Sequence, residues 1–189
     1  MQQYKIYNLS KMEYLDPFSY CCSGQLTNLA VYDSKIMTAC INLLKGEWAG
    51  DVLVCLGDYV RKSEIGIDLD KALEVIPDDP DLGAPPPDET NKISDKVGNT
   101  KEPVAWNNLF FVNHDQKLYV RLRKTKGLMP IPLLIAEGNG KGAGDYTGKD
   151  LALVGAWAFE SVEIVDDLEP IKAKGYVELP VFFEAGKIM

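Results

Sequence analysis

Two stretches of the chain pass through the same order of apolar and polar positions. Tyr4–Leu15, YKIYNLSKMEYL, runs apolar, polar, apolar, and so does Leu109–Val120, LFFVNHDQKLYV. Laid in register, Asn8 falls on Asn113, Tyr14 on Tyr119, Ile6 on Phe111 and Leu15 on Val120. Two β-rich runs around a polar turn holding Asn, Ser or Asp read as a β-hairpin. Further on, each stretch reaches Gly-x-Trp-Ala, first in GEWAGDVLVCLGDY from Gly46 and again in GAWAFESVEIVDD from Gly155. Between them, LAVYDSK (Leu29–Lys35) sits opposite IAEGNGK (Ile135–Lys141), each with an aliphatic-Ala start, a turn-forming pair and a lysine. The second copy carries extra glycine-rich residues before its tryptophan. An insertion costs least there, because closure entropy grows slowly with loop length.

The shared order is hairpin, apolar segment, turn, apolar segment, Gly-x-Trp-Ala, strand. It predicts an internal duplication. One copy, at about 60 residues, is marginal as a free-standing core. Each half must then bury its apolar face against the other, and a pseudo-two-fold arrangement is the simplest solution. Trp48 and Trp157 would be equivalent core anchors. After Trp48 both alternating sets are apolar, Leu53 with Cys55 and Val52 with Val54 and Leu56, which predicts a strand covered on both faces. After Trp157, Val162 and Ile164 form one apolar set while Ser161 and Glu163 weaken the other. That predicts a half-exposed strand near a sheet edge.

The expected fold is therefore α+β and strand-rich, with two pseudo-repeated, hairpin-containing halves packed into one compact unit. The first half is 1–60. The second is 104–189, with a C-terminal strand over Tyr176–Phe183 that Pro180 confines to an edge or a bulge. An acidic, Pro-rich connector spans 61–103. Within it Asp68–Ile76 predicts a short helix capped by Asp68, and Lys92–Gly98 one more helical turn. Pro77–Thr90, with five acids and no base, predicts an exposed, extended loop.

Composition narrows the function. At 189 residues and 46% hydrophobic, the chain can bury a core. A net charge of −8 opposes nucleic acid and suits a basic protein partner. The best basic run, RLRKTK at Arg121–Lys126, reads as a solvated strand end. No apolar run approaches the roughly 20 residues that span a bilayer, and MQQYKIYNLSKMEY has no basic start followed by an apolar block. A cytoplasmic location is expected, with no membrane partner. Cys21, Cys22, Cys40 and Cys55 lack the spacing of a metal knuckle, so they read as reduced thiols, Cys40 and Cys55 packed as small apolar groups.

The most distinctive loop is AEGNGKGAGDYTGKD, Ala136–Asp150. Glycines let a backbone approach a ligand and expose amides to anions. The phosphate-loop pattern fails, because Ala143 stands at its first glycine and Asp150 at its hydroxyl position. Alternating oxygen ligands for calcium are also missing. Glu137, Asn139, Lys141, Asp145 and Tyr146 remain as candidate ligand- or partner-binding residues, in a connection long enough to carry function. Asp51 and Asp58 lie an odd number of positions apart, so in a regular strand they face opposite sides. The single histidine, His114, falls in a hairpin turn, a poor place to shield and orient a base. No catalytic residue, metal or cofactor is assigned.

Asn8–Pro17, Gly46–Tyr59 and Pro132–Tyr146 resemble an uncharacterised group of small bacterial proteins with N-x-x-K-x-x-Y and G-x-W-A-G-D segments. The resemblance implies architecture and no activity. The second phrase departs from it at Phe159-Glu160, where the first has Gly50-Asp51, so no shared role is read for that step. The function expected is non-catalytic binding of a basic protein, as immunity or defence proteins do. The alternative is a small-ligand or nucleotide-handling protein, hydrolases included, using the loop 138–148 between the halves.

Overall fold

A computed structural model describes residues 1–60, 91–92 and 104–185. Alternating apolar residues fold Tyr4–Asn8 (β1) back against Glu13–Leu15 (β2), with Ile6 opposite Leu15 and Tyr7 opposite Tyr14. Leu26–Leu29 (α1) is a single turn, and Lys35–Lys45 (α2) is the one long helix among the described residues. Asp51–Gly57 (β3) and the short Asn91–Lys92 (β4) follow. Leu109–Asn113 (β5) and Leu118–Leu122 (β6) make the second hairpin, with Phe111 opposite Val120 and Val112 opposite Tyr119. Pro130–Leu134 (α3), Ala136–Glu137 (β7), Glu160–Val165 (β8), Glu169–Ala173 (α4) and Val177–Glu178 (β9) complete the chain.

All the strands join one mixed sheet in the order β4-β2-β1-β3-β8-β5-β6-β9, with β7 also paired to β3. The chain is thus α+β and strand-rich. Each hairpin lies beside the strand that follows its Gly-x-Trp-Ala turn. The two sets meet where β3 and β8 run antiparallel, Asp51 opposite Val162 and Leu53 opposite Glu160. One sheet face carries the main core. There Ile6, Leu53, Cys55, Phe111 and Val162 pack with α2, α3 and both tryptophans. Trp48 and Trp157 are fully buried, and Phe111 lies against Trp157 at 5.1 Å between ring centroids. The other face carries two smaller clusters. Tyr7, Tyr14, Val54 and Leu56 form one; Phe110, Val112 and Tyr119 form the other beneath Leu168 and Ile171 at α4.

Both hairpins and the doubly covered β3 agree with the sequence pattern. Three expectations are corrected. β8 is half-exposed but central, between β3 and β5, because its polar Ser161 and Glu163 find bonding partners rather than an edge. Leu29–Lys35 and Ile135–Lys141 do different work. The first leads into α2, where Ser34 Oγ accepts from Met37 N at 3.3 Å and Ile36, Met37, Cys40, Ile41 and Leu44 share the buried stripe. The second forms β7 on β3 and then the glycine-rich loop. The C-terminal strand shrinks to Val177–Glu178, parallel to β6, and stops before Pro180 as the missing donor demands. The helix read over Asp68–Ile76, the loop Pro77–Thr90 and all but Lys92 of the turn Lys92–Gly98 lie outside the described residues.

No described helix is long and apolar enough to cross a membrane. Cys40 and Cys55 are buried, Cys22 is half-buried and Cys21 is exposed. Burial pushes the Cys40 thiol up from 9.0 to about 12, and the Cys55 thiol well above its ordinary value. A thiol reagent at neutral pH should therefore label Cys21, then Cys22, and reach Cys40 and Cys55 only after unfolding. The unfolded thiol ionises near 9.0 while folded Cys40 keeps its proton to about 12. Its stabilisation is complete below the lower value and is lost as pH climbs to the upper one. Thermal melts across that window should show a falling midpoint.

Candidate functional site

The hairpin tips are tied down by two matching sets of bonds. Asn8 and Asn113 are buried polar residues, at 1% and 0% exposure, so their amides need partners. Asn8 Nδ2 donates to Asp51 Oδ2 at 2.8 Å, and its Oδ1 accepts from Lys11 N at 3.0 Å. Asn113 Nδ2 donates to Glu160 Oε2, and its Oδ1 accepts from Gln116 N at 2.9 Å. Lys11 Nζ reaches Asp51 Oδ2 at 2.7 Å and the carbonyl of Glu47. Gln116 Nε2 reaches Glu160 Oε2 at 2.8 Å and the carbonyl of Ala156 at 2.8 Å. Leu9 N donates to Val52 O, and His114 N to Ser161 O, both at 2.9 Å.

Each turn before its strand needs one left-handed residue, Gly50 at φ 79° and Phe159 at φ 65°. Phenylalanine there costs about 1–2 kcal/mol that glycine avoids. Phe159-Glu160 thus does the work of Gly50-Asp51, which corrects the reading of that departure. The tryptophans differ in one respect. Trp48 Nε1 donates to Glu13 Oε2 at 2.7 Å, whereas the buried Trp157 Nε1 has no partner. Glu13 pairs with Asn8 across its hairpin, and Leu118, which pairs with Asn113, has no acceptor to offer. Tyr14 stacks on Tyr7 at 5.6 Å, while Tyr119 meets Phe110 edge-on at 6.1 Å.

The glycine-rich loop turns its polar side chains inward. Asp145 Oδ1 accepts from the Tyr4 hydroxyl at 2.8 Å, and Oδ2 accepts from Gly140 N at 2.6 Å and Gly142 N at 2.9 Å. Asn139 and Tyr146 exchange bonds, Nδ2 to the Tyr146 carbonyl at 2.9 Å and Tyr146 N to Oδ1 at 2.8 Å. The Tyr146 hydroxyl donates to Lys149 O and accepts from Glu184 N at 2.9 Å. Burial, then the bond to Asp145, raises the Tyr4 phenol far above its usual range, and burial raises that of Tyr146, so both stay protonated donors. Glu137 is half-buried on β7, and Lys141 is exposed. The loop also closes over Gln2, which is fully buried. A Cβ on Gly138 would come within 2.9 Å of the Gln2 amide nitrogen, and one on Gly142 within 2.6 Å of its Cβ.

His114 is better oriented than a turn suggests. Its Nε2 faces Glu163 Oε1 at 3.2 Å and its Nδ1 meets the Tyr176 hydroxyl at 2.9 Å. The carboxylate favours a proton on Nε2, and in the neutral ring with that tautomer Nδ1 accepts from the tyrosine. Sequence spacing gave no sign of this trio, because Glu163 and Tyr176 come from β8 and the approach to β9. Asp51 and Asp58 stay apart as expected, Asp58 Oδ1 accepting from Gln3 N at 2.9 Å. Among the described residues no group of three His, Cys, Asp or Glu can hold a metal ion.

Two clefts flank the strap Leu179–Ala185 that follows β9. One, of about 520 Å³, lies against Asp145, Tyr146, Lys126 and Glu184. The other, of about 460 Å³, lies against Arg121, Arg123 and Lys149. The strap is pinned between them, Phe182 N to Asp150 Oδ2 at 2.9 Å and Leu128 N to Phe183 O at 2.7 Å. The chain matches no family model, no curated protein and no solved structure.

Asn8→Ala and Asn113→Ala should each lower stability in urea by about 1–3 kcal/mol, since each removes two bonds that tie a hairpin tip to the adjacent strand and turn. Asp145→Ala removes three bonds from one loop. Limited proteolysis should then cut between Gly138 and Gly148 at least tenfold faster than in the parent, a change of about 1.4 kcal/mol in local opening.

Proposed function

We propose that the chain is two related halves about a pseudo-dyad at the Val52–Ser161 pair, and that it works as a non-catalytic binding protein. The duplication reading is supported by the sheet order, by the β3–β8 register and by the matched bonds of Asn8 and Asn113. It makes a specific demand on Leu118. A glutamate there would offer Trp157 Nε1 the acceptor that Glu13 gives Trp48. In a double-mutant cycle with Trp157→Phe, Leu118→Glu should show a favourable coupling of about 1.5–3 kcal/mol. Zero coupling would count against equivalent halves.

One observation carries the binding reading. The polar side chains that could have served chemistry are spent on the scaffold's own bonds, Asp51, Glu160, Asn139 and Asp145 above all. A rigid acidic surface is left. Its exposed acids include Asp166 and Asp167 after β8 and Glu169 at the start of α4, in a chain of net charge −8. Such a surface suits a basic protein, and neutralising a basic toxin or defence enzyme in the cytoplasm is the role we infer. The resemblance to the bacterial group belongs to the same proposal and adds no activity.

The tagged full chain should retain a basic protein at low salt and release it at high salt. Replacing Asp166 and Asp167 with Asn and Glu169 with Gln should weaken retention. Absence of any partner at both salts would overturn the reading. A second reading, small-ligand or nucleotide handling at the loop 138–148, is favoured by the cleft beside Asp145 and Tyr146. Saturable thermal stabilisation by a nucleotide, lost in Lys141→Ala, would replace the first reading with this one.

A further inference from the structure

The basic run Arg121–Lys126 is not used evenly. Lys124 pairs with Asp33, whose carboxyl its hydrogen bond holds below the usual range. Lys126 borders the cleft beside Asp145. Arg121 and Arg123, two positions apart at the end of β6, leave the strand on the same side and line the other cleft. Lys149 closes it from the end of the glycine-rich loop.

These three cations share the cleft with two acids, Glu178 and Asp150. The Arg121 guanidinium lies over the Phe110 ring at 4.9 Å, and its Nε is buried with no hydrogen-bond partner. It forms an ion pair with Glu178 Oε1 at 3.6 Å, longer than a hydrogen bond. Arg123 has no hydrogen bond or ion pair among the described residues. The Lys149 ammonium lies over the ring of Phe182 at 6.0 Å and has no ion pair among the described residues. At the rim Asp150 Oδ2 accepts from Phe182 N at 2.9 Å, so its position is fixed by the strap. A chain with 28 acids and 20 Lys and Arg has thus gathered three cations against two carboxylates, Glu178 and Asp150, around one hollow.

The hollow is also part apolar. Leu128, Pro130 and Phe182 form walls, and about 460 Å³ exceeds what a bare oxyanion fills. A planar guanidinium fixed by stacking presents its donors to a phosphate or carboxylate in fork geometry. We propose that this cleft binds a small organic oxyanion, a phosphate monoester or carboxylate attached to an apolar or aromatic body. The head group sits between Arg121, Arg123 and Lys149, and the body lies against Leu128, Pro130 and Phe182. This site is separate from the acidic surface and from the cleft beside Asp145.

The test is calorimetric titration of the full chain with phenyl phosphate, benzoate, inorganic phosphate and benzyl alcohol. Phenyl phosphate or benzoate should bind saturably, more tightly than inorganic phosphate or benzyl alcohol, and more weakly as salt rises. The tighter of the two names the head group. Arg123→Gln should weaken binding about tenfold or more. Arg123 is exposed and has no hydrogen bond or ion pair among the described residues, so circular dichroism and melting point should stay those of the parent. Arg121→Lys should also weaken it, by removing the fork while keeping the charge. Lys126→Gln, in the neighbouring cleft, should leave it unchanged. No saturable anion binding, equal binding of benzyl alcohol, or undiminished binding in Arg123→Gln would each overturn the proposal.

Discussion

The sheet is continuous across its middle through three residue pairs. Asp51–Leu53 lies antiparallel to Glu160–Val162, and the hairpins on either side hang from that seam. So short a ladder holds only if the strands enter it at fixed angles. The Gly-x-Trp-Ala turns provide the angle. In each, a tryptophan sinks into the core, a left-handed residue reverses the chain, and a carboxylate accepts from a buried asparagine in the adjacent hairpin. Remove the asparagine and the carboxylate loses its anchor, the tip loses its tie, and the seam loses the strand geometry it requires. The buried amides therefore specify register more than they add energy, since a single net hydrogen bond contributes only about 1 kcal/mol.

Both hairpins could be read from the sequence because their signal is local and doubled. Asn8 and Asn113 mark the tip, and the residues flanking them alternate with period two. The helix α2 carried an equally local signal, Ser34 as cap and Ile36, Cys40, Ile41 and Leu44 on one stripe. Placing Leu29–Lys35 opposite Ile135–Lys141 obscured it, because the second copy has no long helix there. The place of β8 in the sheet was not legible. Ser161 and Glu163 look like edge residues until Ser161 Oγ is seen to donate to Gly50 O at 2.6 Å and Glu163 to face His114. Polarity along a strand reports half-exposure, and only pairing decides between centre and edge.

The candidate loop was legible as a distinctive segment but not in its purpose. A glycine-rich stretch with Asn, Asp and Tyr can present those groups to a ligand or fold them upon itself, and composition is the same in both cases. Here Asp145 takes three bonds from Tyr4, Gly140 and Gly142, and Asn139 and Tyr146 close on each other. What decides is Gln2, buried beneath the loop, whose bulk leaves no room for a Cβ at Gly142. That pairing links the second residue to the hundred-and-forty-second, a separation that no local pattern conveys.

The two sides of the sheet differ in their outer-face side chains. Leu9 and Val54 pack with Tyr7 on one side, while His114 and Glu163, in the matching places beside β5 and β8, engage Tyr176 on the other. The asparagine bonds that hold the tips are matched, whereas the tryptophan bond to Glu13, the helix α2 and the outer-face side chains are not. Arg121 and Arg123 belong to the same pattern, for Asp16 and Phe18 follow the first hairpin at the same distance. Asp16 caps the turn Pro17–Tyr20 by accepting from Phe18 N at 3.2 Å, so that position is committed to the backbone. Arg121 has no such duty and stacks instead on Phe110, beside a cleft that Phe182 helps to close. The seam needs Asp51 and Glu160 for its asparagines, while Arg121, Arg123 and Lys149 stand at the rim outside that network, and it is there that the chain has room to acquire a ligand without disturbing its fold.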